Sequence, residues 1–189
     1  GHVHDPVDAK IPYAMPAQCF QNRGNGQFVE VSRPQLGPFF DRPRMGRALA
    51  RLDWNRDGLD DVCISHLNER AALLTNRTEM AGNSLSLRLI AVNSARDAIG
   101  ARVRITAGNQ VTVRQLTAGD GFHASNERRL NEGLGANRVA DLVDVEWPSG
   151  VRQQFERLDV DREWILVEQR PAIPVSIAAD GDLASSSCR

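Results

Sequence analysis

The chain has 189 residues, 41% of them hydrophobic and 25% charged, which suits one or two soluble domains with real cores. A formal net charge of −1 gives no electrostatic basis for binding nucleic acid or an anionic membrane. The basic residues are almost all arginine, with Lys10 the only lysine, a usage that fits scattered planar ion pairs on a β surface better than one basic patch.

In chain order the pattern is of strands, and no window carries a sustained apolar stripe at helical spacing. Residues 1–16 are rich in Pro and His and read as an extended lead-in that starts at Gly1 without an initiator Met, as in a processed or excised chain. A strand is predicted at 17–22, a turn at Asn22-Arg23-Gly24-Asn25-Gly26 and a second strand at 27–32, making a hairpin. Residues 33–43 hold three prolines and read as a surface loop. Strands follow at 46–52, 61–65 and 71–76, and 80–84 is the predicted domain boundary.

A second strand-rich block begins with LSLRLIAV at 85–92, which alternates over its whole length. Strands at 101–107 and 110–117 flank Gly108-Asn109, a strong hairpin signal. Residues 142–147 meet 151–155 across Pro148-Ser149-Gly150, and 164–168 supply a last strand. Residues 171–189 are rich in Ala and Ser and read as a tail. The expected fold is all-β, the second block a sandwich or barrel. No apolar run approaches the roughly 18 residues that a membrane span needs. No signal peptide is visible, so any export signal would lie upstream.

The motif that carries chemistry is D-x-N-x-D-G-x-x-D at residues 53–61. Asp53, Asn55, Asp57 and Asp61 put side-chain oxygens at loop positions 1, 3, 5 and 9. Gly58 allows the bend, and the Leu59 carbonyl is the expected fifth ligand. Hard oxygen donors in a flexible loop suit Ca²⁺, whereas Mg²⁺ demands tighter octahedral geometry. An EF-hand would need Glu at position 12, where Ile64 stands, and flanking helices where strands are predicted. Three carboxylates crowded into one turn are unfavourable without a cation. Asp60 reads as an outward, solvated neighbour.

The stretch GRALARLDWNRDGLDDVCISHLNERAALLTNR resembles FG-GAP or VCBS repeats, and CFQNRGNGQFVEVS is similar to the hairpin that precedes them in one group. That group also carries an ASPIC/UnbV domain, which residues 83–169 resemble in AIGARV, GDGF, GLG and DLVDVEWPSG. Where that family usually has His-Phe before Gly-Leu-Gly, this chain has Asn131-Glu132. The resemblance implies a terminal propeller-blade region at 1–80, an ASPIC/UnbV domain at 83–169 and a tail or linker at 170–189. It also implies an exported protein, extracellular, cell-surface or periplasmic, with upstream blades and a protein or glycan ligand. Non-catalytic binding or adhesion is the expected function. An accessory or structural capping domain of an exported enzyme or biosynthetic protein is the alternative.

Other features read more plainly. Cys19 and Cys63 lie in apolar runs and read as small buried hydrophobes, a bridge between them being left open; Cys188 reads as free. Trp147-Pro148-Ser149-Gly150 reads as a packed strand end, and Gly119-Asp120-Gly121 as a turn. His2, His4, His66 and His123 have no partner at metal-ligand spacing beyond the alternation of the first two. Asn76-Arg77-Thr78 is a glycosylation sequon. No nucleophile–base or phosphate-cradling motif is present, so no enzymatic activity is expected. A blade cannot bury its faces alone, so residues 1–80 are expected to pack on 83–169 or to self-associate.

Overall fold

Residues 12–79 and 82–175 are described by a computed structural model of the chain. The first hairpin is β1 (Phe20–Gly24) and β2 (Gln27–Glu30), joined at Asn25, whose φ of 53° is the left-handed conformation that Asn accepts. Both strands are exposed throughout. The proline-rich stretch read as a loop contains one helical turn, α1 (Arg33–Leu36), and a 3-10 turn at Pro38–Asp41. Each has Pro in its opening turn, where a missing N–H removes no bond. Then β3 (Gly46–Leu52), β4 (Asp61–His66) and β5 (Ala72–Leu74) form an antiparallel sheet in that order.

Among its described residues, this first part has no apolar core. Among the described residues before 80, the buried ones are Asp53 and Asp61, while Leu49, Leu73, Phe20 and Phe28 are exposed. Cys19 and Cys63 are unpaired thiols of intermediate exposure, which corrects the expectation of burial.

The core belongs to the second part. Its strands are β6 (Asn83–Ile90), β7 (Arg102–Ala107), β8 (Gln110–Gln115), β9 (Leu130–Gly135), β10 (Val139–Glu146), β11 (Arg152–Asp159), β12 (Arg162–Val167) and β13 (Ile173–Val175). They form two four-stranded sheets, β11-β10-β7-β8 and β13-β12-β6-β9. Leu85, Leu87 and Leu89 of β6 and Leu166 of β12 share one buried cluster with Val103 and Ile105 of β7, Val143 and Val145 of β10, and Phe155 of β11. Two sheets thus face each other across one core, as alternation at period two requires. Neither closes into a barrel, so of the two expected architectures the structure adopts the sandwich.

Among the described strands every neighbouring pair is antiparallel except β6 and β12, which run parallel from Arg162↔Leu85 to Val167↔Ile90. Trp147 is 1% exposed, and its indole N–H donates to Gln153 Oε1 at 3.0 Å, so it packs. Residues 173–175 are a strand on β12, which shortens the predicted tail. His2, His4 and Cys188 lie outside the described residues. Among the described residues, no helix is long and apolar enough to cross a membrane.

Candidate metal centre

The acidic turn leaves the end of β3 and enters β4, with Leu52 paired to Asp61 across its neck. Strand pairing therefore fixes the first and last acidic residues beside each other. Between them the chain turns back through two left-handed residues, Arg56 at φ 61° and Gly58 at φ 82°. A side chain at Gly58 would meet Ser84 of β6, with Ser84 Cβ at 3.3 Å and Oγ closer still. Glycine is needed there on both counts.

Asp53 is 2% exposed and Asp61 is fully buried. Asp53 accepts the N–H groups of Asp57 at 3.1 Å and Gly58 at 3.0 Å. Asp57 accepts the Leu59 N–H at 2.9 Å and the Asn55 amide at 2.7 Å. Asp61 accepts the N–H groups of Trp54 at 3.1 Å and Asn76 at 2.7 Å. Burial pushes the Asp53 carboxyl above its ordinary range, and the neighbouring Asp57 charge adds to this, against bonds from the Gly58 and Asp57 N–H groups. Among the described residues, no arginine is ion-paired with Asp53, Asp57 or Asp61.

The expected ligand residues thus stand on one turn, with Asp53 and Asp61 inward, Asn55 and Asp57 exposed, and Leu59 half-buried. Among the described residues, no three His, Cys, Asp or Glu side chains gather closely enough to hold a metal ion. The turn is closed by its own N–H groups. The donor types are those a hard cation takes: a carboxylate has about four lone-pair sites, and each of these three has two taken by N–H groups. Asn55 and Asp57 would have to move inward to complete such a site.

Asp60 is not the solvated neighbour that was expected. It pairs with Arg51 Nη1 at 3.0 Å and accepts the Asn131 amide at 3.0 Å. Asn131 also accepts the Ser86 hydroxyl of β6, so this residue joins the acidic turn to the sandwich. Glu127 reaches the turn as well, accepting the Asp53 N–H at 3.1 Å and pairing with Arg56 at 2.7 Å. Both come from more than seventy residues away, and no local signal marks them.

The remaining candidates make local contacts. His66 Nδ1 lies 3.0 Å from the Arg70 carbonyl. His123 stacks edge-on against Phe122. Asp120 ties its turn together by accepting the Thr117 hydroxyl and the Asn126 N–H, and those bonds hold its carboxyl below the usual range. The Asn76 amide donates to the Asp60 carbonyl at 3.3 Å, while its oxygen accepts from Thr78.

The fold and its turn define an all-β chain in which a two-sheet sandwich carries a coreless three-stranded sheet at its edge. Residues 91–172 match the family model described as ASPIC and UnbV, which supports an ASPIC/UnbV domain in the sandwich. Comparison with curated proteins finds no match.

Proposed function

We propose that the chain is a non-catalytic binding module, stabilised by Ca²⁺ at the 53–61 turn, that contacts a protein or glycan outside the cytoplasm. The observation that carries this reading is the burial of Asp53 and Asp61, beside Asp57, with no ion-paired arginine on any of the three among the described residues. Bound calcium would supply the missing positive charge. Asp53, Asn55, Asp57, Asp61 and the Leu59 carbonyl would hold it, and by linkage it would stabilise the sheet because the unfolded turn does not bind. The resemblance of residues 46–77 to FG-GAP or VCBS repeats supports a propeller blade. The coreless sheet supports it too, because a blade buries its faces against neighbours. The same exposed face supports the alternative of an accessory or capping domain on a larger exported protein.

Calorimetric titration of the chain with CaCl₂ tests the reading. Heat saturating at one ion per chain is expected. Asp57→Ala is expected to remove that heat and to abolish the effect of EDTA on Tm. An EDTA response that survives in Asp57→Ala would discard the site.

A further inference from the structure

A cleft of about 420 Å³ lies where the sandwich meets the first part of the chain. Alternation turns Ser84 and Ser86 of β6 away from the core that Leu85 and Leu87 fill. Strand register sets Glu163 of β12 beside Ser86, and Val175 of β13 beside Glu163, so one row of the sheet lines the cleft. Arg129, the residue before β9, lines it too, with a side chain 7% exposed. Its Nη2 lies 3.1 Å from Glu163 Oε1 and 3.5 Å from Glu127 Oε1, but its buried Nε has no hydrogen-bond partner among the described residues. A buried donor left unmet is costly, so an acceptor brought by a ligand gains what the fold forgoes.

The same cleft holds fixed acceptors. Asp161 is tied to Ser84 twice: its N–H donates to the Ser84 carbonyl at 2.6 Å, and its Oδ1 accepts the Ser84 N–H at 2.9 Å. Asp161 and Glu163 each use one carboxylate oxygen in these contacts and leave the other to accept from a ligand. In all, the lining carries three arginines and four carboxylates. A free anion would meet the carboxylates there and a free cation the arginines. The matching ligand group is therefore neutral, accepts from Arg129 and donates to Glu163 or Asp161.

We propose that this cleft is a sugar-binding site, in which Arg129 Nε donates to one ring hydroxyl and Glu163 accepts from the next. This rests on the binding-module reading above, gives a place to its glycan ligand, and requires no metal ion. A hydroxyl is uncharged and both donates and accepts. The Arg129 guanidinium and the Glu163 carboxylate stand side by side, 3.1 Å apart, a pairing that adjacent hydroxyls on one ring can meet together. A peptide unit cannot, because its N–H and C=O point opposite ways across the trans bond. Val175 and the Arg129 methylenes offer apolar wall to the ring carbons. The volume lies within the range of small-ligand sites, about 300–1,000 Å³.

The test is saturation-transfer NMR on the full chain in EDTA, with glucose, galactose, mannose and N-acetylglucosamine as probes and N-acetylglutamine methylamide as a neutral side-chain amide. At least one sugar is expected to take up saturation. Arg129→Lys keeps a cation near Glu127 and Glu163 but removes the Nε–H, and is expected to weaken that sugar about tenfold or more, the effect of losing a hydrogen bond to a charged group. Glu163→Gln is expected to weaken it in the same direction, and Arg152→Ala, on the other sheet, to match wild type. Urea midpoints show whether each variant is folded; should Arg129→Lys not fold, Glu163→Gln decides. A sugar bound equally by all variants overturns the cleft and leaves the binding-module reading standing. Saturation of the glutamine amide alone makes the cleft a peptide site, which overturns the sugar assignment and keeps that reading. If no probe takes up saturation the sugar site is overturned, while the calcium titration above still judges the reading separately.

Discussion

Replacing Gly58 by Ala tests the geometry of the acidic turn independently of any ion. A Cβ at φ 82° costs about 1–2 kcal/mol. The new methyl would also press on Ser84: Oγ can swing aside by rotation about χ1, but Cβ stays at 3.3 Å, tighter than ordinary contact. That overlap adds about 1 kcal/mol, the low end of overpacking costs. Lower freedom of the unfolded chain offsets about 0.4–1 kcal/mol. The net loss is about 1–3 kcal/mol, or roughly 0.5–1.5 M in urea midpoint at a slope of about 2 kcal/mol per M. Urea unfolding in EDTA, followed by far-UV circular dichroism, measures it. Adding Ser84→Gly is expected to return the overlap part and leave the dihedral part. A Gly58→Ala chain with the wild-type midpoint would refute the reasoning, and so would a double variant no better than the single one.

Trp147→Ala is expected to cost about 3–5 kcal/mol, seen as a large fall in urea midpoint, because the ring is 1% exposed in the core cluster. Asp61→Ala leaves the Trp54 and Asn76 N–H groups without their acceptor; a loss of about 1–3 kcal/mol is expected for each that finds no water. Glu168 contributes to the acid limb of stability. Its burial pushes the carboxyl up, but bonds from the Ser149 hydroxyl and the Asn93 and Val92 N–H groups outweigh that and hold it at about 2, below its ordinary 4.5. A depressed folded value stabilises fully above 4.5 and fades as pH falls toward 2. Glu168→Gln is therefore expected to flatten the fall in Tm between pH 5 and pH 2, measured by calorimetric scans.

The legible parts of the sequence were those with a local cause. The alternation of β6 and the Gly108-Asn109 turn placed a strand and a hairpin where the structure has them, and the spacing of Asp53 to Asp61 marked the turn. β9 was not predicted, since glycines at 133 and 135 weaken a strand pattern, although the strand lies against β6 and buries Leu130 and Leu134. β13 escaped because three residues with a central proline resemble a tail; it is an edge strand, where proline is tolerated. The partners of Asp60 and Asp53 at Asn131 and Glu127 had no spacing rule to reveal them, since tertiary docking alone brings them to the turn.

The parallel pairing of β6 with β12 has a consequence for biogenesis. The middle of one sheet is built from the strand that opens the sandwich and one that nearly ends it, some seventy residues later. As the polypeptide emerges from the ribosome, the edge of β6 that β12 occupies must wait unpaired until residues 162–167 arrive. Such non-local closure makes for slow, late assembly and a nascent species with apolar surface open to chaperones.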